Sequence, residues 1–137
     1  MTTIEQLERA TWPDPGPDAS ALVRRCSALA RTPLDEFTVE DLRLMLGQQI
    51  AVPALLPLAL HVLLQDPLAE GDYYPGDLLV NVLGLPEPSW SGLPAERGQL
   101  VSVLTELVAS SPPLDPGLKP RDPARLVRDT VLRFLSR

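Results

Sequence analysis

Apolar side chains recur three and four positions apart along most of the chain, which is the spacing of one face of an α-helix. Leu22, Cys26 and Leu29 follow this spacing near the N-terminus, and Leu100 and Leu104 follow it again later. No segment sustains the alternation of apolar and polar residues that half-buried strands show. The pattern therefore predicts an all-α fold, a compact single-domain bundle of about seven helices.

Prolines and capping residues set the expected helix boundaries. Most of the sixteen prolines fall between apolar segments, where the missing amide ends or begins a helix. Thr38 with Asp41 has the spacing of a reciprocal N-terminal cap, and Asp122-Pro123 is a cap followed by proline at the first helical position. The predicted helices span residues 2–9, 20–31, 39–49, 53–64, 75–83, 95–109 and 123–135, with a short turn at 88–90.

This division also predicts the domain organisation. Residues 1–109 are expected to form one helical domain. Residues 110–121 hold four prolines and a glycine, so we predict a proline-rich loop there. Residues 122–137 then form an amphipathic C-terminal helix packed on the same domain, with Leu126, Thr130, Val131 and Phe134 on its inner face.

The uncharged run from Leu44 to Gln65 is the most hydrophobic part of the chain. Its 22 residues could span a bilayer by length. Prolines, glutamines and a histidine interrupt it, and no basic cluster flanks it, so we predict a central helix at 53–64 and no membrane span. Pro57 then requires either an irregular first turn or a regular helix that begins near Pro57. Without a signal sequence at the start, we expect a cytoplasmic protein.

The distribution of charge along the chain says more about possible partners than the overall composition does. The net charge of the chain is -6, but residues 32–96 alone carry -9, with Arg43 as their single base. A segment this acidic repels phosphate backbones, so we expect no nucleic-acid binding. It attracts a basic protein partner instead.

Few residues offer catalytic chemistry. His61 is the only histidine, and the sequence names no nucleophile or orienting partner for it. We expect it to be a core or boundary residue. Cys26, the only cysteine, lies between apolar helical positions and is expected to be a buried, unreactive thiol. The sequence therefore predicts no enzyme and no cofactor.

The stretch from Asp66 to Leu83 concentrates the remaining candidate chemistry. Asp66, Glu70, Asp72 and Asp77 have oxygen ligands that suit calcium or magnesium, but their spacing does not fit the EF-hand loop. Helix-terminal roles and a partner-facing acidic surface are the other two interpretations. Of the two tyrosines between Gly71 and Gly76, we expect one to pack on the core and one to be exposed. The hypothesised partner-binding residues are Glu70, Asp72, Tyr73, Tyr74 and Asp77.

Two blocks carry a resemblance to a known family. VEDLRLMLGQQIAVPALLPLAL (39–60) followed by DPLAEGDYYPGDLLVNVL (66–83) resembles bacterial immunity proteins of contact-dependent growth inhibition systems. The likeness covers about residues 22–107 and leaves residues 110–137 outside. It implies a small non-enzymatic protein that binds the toxic C-terminal domain of a delivered effector and blocks it inside the cell.

Three functions remain open from the sequence. The resemblance implies a cognate toxin domain as partner, and the charge predicts that this domain is basic, as many nucleases are. The alternatives are an acidic helical adaptor or regulatory subunit without a toxin partner, and a metal-dependent hydrolase that uses Asp66, Glu70, Asp72 and Asp77. The oligomeric state stays undetermined by the sequence.

Overall fold

A computed structural model describes residues 2–110 and 122–137, and these residues form an all-α fold. The seven helices are α1 (Ile4–Glu8), α2 (Ala21–Ala30), α3 (Val39–Gly47), α4 (Val52–Gln65), α5 (Asp77–Leu83), α6 (Pro94–Ala109) and α7 (Pro123–Leu135). Two short 3-10 helices, Leu34–Glu36 and Glu87–Trp90, join them. Within the described residues, the only β-type pairing is an isolated bridge between Glu70 and Pro75. The predicted fold class and number of helices are confirmed.

Side-chain caps explain where several helices begin. The Ser20 hydroxyl accepts a hydrogen bond from the Val23 amide at 3.2 Å, which places the start of α2. Thr38 and Asp41 accept each other's amides at the start of α3, as their spacing predicts. The Asp122 carboxylate accepts from the Ala124 amide at the start of α7.

Helix α4 supplies much of the core but is not buried on every side. Its inward residues are almost completely buried: Leu55, Leu56, Ala59, Leu60 and Leu63. Pro53, Pro57, His61 and Gln65 recur every fourth residue and form an exposed stripe. One face of the helix, which holds prolines and polar residues, is therefore turned to solvent. His61 is exposed rather than in the core, and its ring Nε2 lies 3.3 Å from the side-chain amide nitrogen of Gln65.

The start of α4 decides between the two expectations for Pro57. The helix begins at Val52 and runs through Pro57, so a regular helix beginning at Pro57 is wrong. The first turn instead contains a tight bond from the Ala54 amide to the Ala51 carbonyl, alongside the ordinary bond from Leu55. Pro57 therefore lies inside a continuous helix, where it has no amide to donate to the carbonyl four residues earlier.

Two further boundaries differ from the prediction. Helix α5 begins at Asp77 instead of Pro75, because Gly76 has a φ of 92° and cannot be helical. In α7, Leu126 is 45% exposed, whereas Val127, Val131 and Phe134 are buried. The inner face is therefore rotated toward Val127, which packs against the residues that precede α5.

Helix α5 packs between α3 and α7, and α4 packs on α3 and α6. Trp90 is buried in the core, and its ring centroid lies 5.5 Å from that of Phe134 on α7. Cys26 is also buried, and burial raises the pKa of its thiol. Of the predicted proline-rich loop at 110–121, residues 111–121 lie outside the described residues.

Crossing a bilayer requires a helix that is both long and apolar. None of the helices in residues 2–110 and 122–137 combines the length and apolar character that crossing a bilayer requires.

Candidate functional site

The segment between α4 and α5 forms a closed loop, residues 70–75, which we name the Tyr73 loop. The bridge between Glu70 and Pro75 brings its two ends together. Just outside it, the Gly76 amide donates to the Leu68 carbonyl at 3.2 Å. Both ends of the loop are therefore fixed to each other by backbone contacts before any side chain is considered.

Asp77 lies beneath the Tyr73 loop and binds its backbone. One carboxylate oxygen accepts hydrogen bonds from the Gly71 amide at 2.7 Å and the Leu78 amide at 2.8 Å. The other accepts from the Tyr73 amide at 3.1 Å. Asp77 is only 3% exposed. We therefore revise its expected role from a partner-binding residue to an internal support, since its oxygens are already used within the protein.

Helix α3 holds the loop from the other side through Glu40 and Arg43. The Arg43 guanidinium donates two hydrogen bonds of 2.6 Å to the two oxygens of Glu40, a bidentate pair. One of those oxygens also accepts from the Asp72 amide at 2.9 Å. Arg43 lies 3.9 Å from the Asp77 carboxylate as well. Helices α3 and α5 thus both bind the Tyr73 loop, through charged side chains that also contact each other.

The ion pair changes the proton affinity of both partners. Hydrogen bonding from Arg43 lowers the pKa of the Glu40 carboxyl below its usual range, although burial opposes this. The same hydrogen bond raises the pKa of the Arg43 guanidinium. Both groups are therefore charged at neutral pH, and the loop is held by ionised groups.

Gly71 is required by the close approach of these carboxylates. A Cβ atom at this position would lie 2.6 Å from a Glu40 oxygen and 2.9 Å from an Asp77 oxygen. Real Cβ atoms do not come so close to other atoms, so a side chain here would displace the Glu40 and Asp77 carboxylates or the loop that they bind. A glycine at this turn allows both carboxylates to reach the backbone.

The two tyrosines have different environments, as the sequence indicated. Tyr74 is half-buried against the core, and burial raises the pKa of its hydroxyl. Tyr73 is 69% exposed, and the Arg43 guanidinium lies 4.5 Å from its ring centroid. This cation–π contact fixes the orientation of a large aromatic side chain that water surrounds on most sides.

Exposed acids accompany Tyr73. Within residues 2–110 and 122–137, the carboxylates of Glu70 and Asp72 form no ion pair, and both residues are exposed. The same holds for Asp35 and Glu36, which precede α3. Glu70 and Asp72 therefore add two negative charges to the Tyr73 loop that no described ion pair compensates.

Metal binding finds no support in this geometry. In the part of the chain that the structure describes, no group of three His, Cys, Asp or Glu side chains is arranged to hold an ion. Asp77, one of the four proposed ligands, has its oxygens bonded to backbone amides.

Sequence reasoning missed Glu40 and Arg43 as parts of this site. They lie about thirty residues before the loop, and only the packing of α3 against α5 brings them to it. One signal was present: Arg43 is the single base in the acidic segment 32–96. A lone cation among ten acids is a natural centre for a charge network.

A comparison with known families identifies the family of this chain. The family of CDI immunity proteins, from contact-dependent growth inhibition, matches residues 6–100, which include the Tyr73 loop and both helices that hold it. Because the match covers more than half of the chain, this chain belongs to that family. Among individual curated proteins, none matches the chain.

The lowered pKa of Glu40 predicts how the loop responds to acid. A carboxyl whose pKa falls on folding contributes stability above its unfolded pKa, and this contribution is lost as the pH falls through the folded value. We expect hydrogen exchange at the Asp72 amide, corrected for its intrinsic rate, to stay protected from about pH 8 to about pH 5 and to lose protection below about pH 4.

Nuclear magnetic resonance of single amides measures this response. The Val80 amide, bonded to the Gly76 carbonyl within α5, serves as the control for global unfolding. Loss of protection at Asp72 near neutral pH, with Val80 still protected, would contradict the role of the Glu40 carboxylate.

Proposed function

We propose that this protein is an immunity protein that binds the toxic C-terminal domain of a contact-dependent growth inhibition effector. It neutralises that domain by association and not by catalysis, in the cytoplasm of the cell that it protects. The observation that carries the proposal is the Tyr73 loop, which holds an exposed aromatic residue beside unpaired acids. Membership of the immunity family supports the toxin as the partner.

The internal bonds of the loop suit it to protein recognition. Ordering a flexible loop on binding costs free energy, and a loop that is already fixed avoids most of that cost. Tyrosine adds a large contact area with few rotatable bonds and is enriched among the residues that dominate binding energy. We therefore assign direct contact to Tyr73, Glu70 and Asp72. Tyr74 and Asp77 support the loop from within.

Charge supports a basic partner. The balance of -9 in residues 32–96 creates a negative field around the loop. Such a field accelerates encounter with a positively charged domain and disfavours acidic ones. A toxin domain that cleaves nucleic acid fits this description, because a surface that binds phosphates is basic.

Calorimetric titration with the C-terminal domain of a contact-dependent growth inhibition effector from the same genome tests the proposal. We expect a one-to-one complex and, in cells that express that domain, restored growth when the chain is co-expressed. An adaptor without a toxin partner would give neither heat of binding nor protection. Growth without a complex would point to an indirect mechanism and contradict the proposal.

Charge reversal at the loop is expected to slow association. In Glu70→Lys and Asp72→Lys, the association rate with the toxin domain should fall by about three- to tenfold and become less sensitive to salt. Stopped-flow mixing at low and moderate salt measures both effects. Glu70 and Asp72 have exposed side chains, so the thermal midpoint should change little.

Asp18→Lys is the matched control, since Asp18 is also exposed but precedes α2 and belongs neither to the loop nor to residues 35–41. It makes the same change in net charge and should affect association less. Unchanged rates in both loop variants would place the interface elsewhere, on residues 35–41 or on α7.

A further inference from the structure

Helix α7 lies outside the residues that match the immunity family, yet it contacts the base of the Tyr73 loop. The family match ends at residue 100, and α7 begins at Pro123. Its inner face comprises Val127, Val131 and Phe134, spaced four and three residues apart. Of these, Val127 lies nearest the N-terminus of the helix, on the side where the loop joins α5.

The contact between Val127 and Gly76 is close. A Cβ atom on Gly76 would lie 2.9 Å and 3.1 Å from the two Val127 methyl groups and 3.3 Å from a Leu68 methyl group. Gly76 also has a φ of 92°, which side chains rarely tolerate. Val127 is 1% exposed, so it fills the space that the missing Gly76 side chain leaves. The helix therefore rests directly on backbone at the end of the loop.

Gly76 and Leu68 also close the base of the Tyr73 loop. The Gly76 amide donates to the Leu68 carbonyl, so Val127 packs against a residue whose backbone hydrogen bond closes the base of the loop. The space beside this contact is an apolar groove of about 350 Å³ between the loop and the first turn of α7. The described side chains that line this groove do not fill it, whereas Val127 packs closely against Gly76 beside it.

The other end of α7 is fastened independently of the loop. The Phe134 ring packs on Trp90, and the Arg97 and Arg137 guanidinium groups lie 5.2 Å and 5.3 Å from its centroid. Arg137 also pairs with Glu87 at 3.1 Å. These contacts hold the helix on the core, so a change at Val127 acts at the loop while the helix stays anchored.

We infer that α7 is a positioning element of the toxin-binding surface and that Val127 is the residue through which it holds the Tyr73 loop in place. The inference about binding rests on the proposed function. The inference about the loop itself does not, because the position of the loop can be measured in the free protein.

Paired valine variants test this inference. Val127→Ala and Val131→Ala remove the same atoms from the same face of α7, one turn apart, and both positions are buried. We expect similar falls in thermal midpoint. Only Val127→Ala should speed hydrogen exchange at the Gly71 and Tyr73 amides, by about tenfold. These loop amides donate to Asp77, which follows Gly76, the residue that Val127 packs against. If Val127→Ala does not fold, Val127→Thr, which keeps the shape of the side chain, replaces it.

Binding of the toxin domain gives the second readout. Dissociation from Val127→Ala should be about three- to tenfold faster than from Val131→Ala. Equal loop exchange in the two variants would overturn the inference, whatever the toxin does. Faster loop exchange with unchanged dissociation would confirm that α7 holds the loop and would overturn the use of the loop in binding.

Discussion

Replacing Tyr73 by alanine is expected to weaken binding of the toxin domain by about thirtyfold or more, which corresponds to about 2 kcal/mol. Tyr73 is the most exposed large hydrophobic side chain in the described residues, and its ring is held over Arg43. An aromatic residue fixed in this way loses little entropy on binding and buries a large area. Calorimetric titration at fixed salt measures the change in affinity.

Stability distinguishes this effect from unfolding. Since the Tyr73 ring is not in the core, the free energy of unfolding should fall by no more than about 1 kcal/mol, the value of an exposed cation–π contact. Tyr73→Phe keeps the ring and should retain most of the affinity. Leu7→Ala, at another exposed apolar residue, is the control and should bind normally. Wild-type affinity in Tyr73→Ala would remove Tyr73 from the interface.

Replacing Arg43 by methionine is expected to cost about 3 kcal/mol of unfolding free energy. The side chains of Arg43, Glu40 and Asp77 are 15%, 14% and 3% exposed, so the change leaves two carboxylates in a mostly buried place without their cation. The loop should also loosen, because Glu40 then lacks the partner that keeps it aligned with the Asp72 amide. Denaturant titration measures the first effect and hydrogen exchange at Asp72 the second.

A comparison with Arg25→Met isolates burial as the cause. Arg25 also pairs with a buried acid, Asp41, but the Arg25 side chain is half exposed, so this pair is screened by water. Its loss should cost under about 1 kcal/mol. Adding Glu40→Gln to Arg43→Met should recover part of the stability, because it removes one uncompensated charge. A cost below about 1 kcal/mol for Arg43→Met would show that the network is not what holds the loop.

Local patterns explain how much of the fold could be predicted. The Thr38 cap acts within three residues, so the start of α3 follows from the sequence. The rotation of α7 could not be predicted in this way. Leu126 has helical spacing with Thr130 and Phe134, whereas Val127 has it with Val131 and Phe134, and the close approach to Gly76 places Val127 inward. Gly76 likewise delays the start of α5, through a backbone conformation that only the folded loop requires.

The candidate site was predictable in composition but not in architecture. The sequence indicates Glu70, Asp72 and Tyr73 because acids and aromatic residues cluster near glycines. It cannot show that Asp77 points inward to three amides, since the same residue at a helix start normally faces solvent. Glu40 joins the loop from 32 residues away, and such a contact depends on how the helices pack.

The central claim is that the toxin domain covers the Tyr73 loop, and hydroxyl-radical footprinting of the protein alone and in complex tests it most directly. Tyrosine side chains react readily, and Tyr73 is exposed in the free protein. We predict that the oxidation rate of Tyr73 falls severalfold in the complex, while that of exposed Leu7 stays unchanged. A stable complex in which Tyr73 is oxidised as fast as in the free protein would contradict the claim.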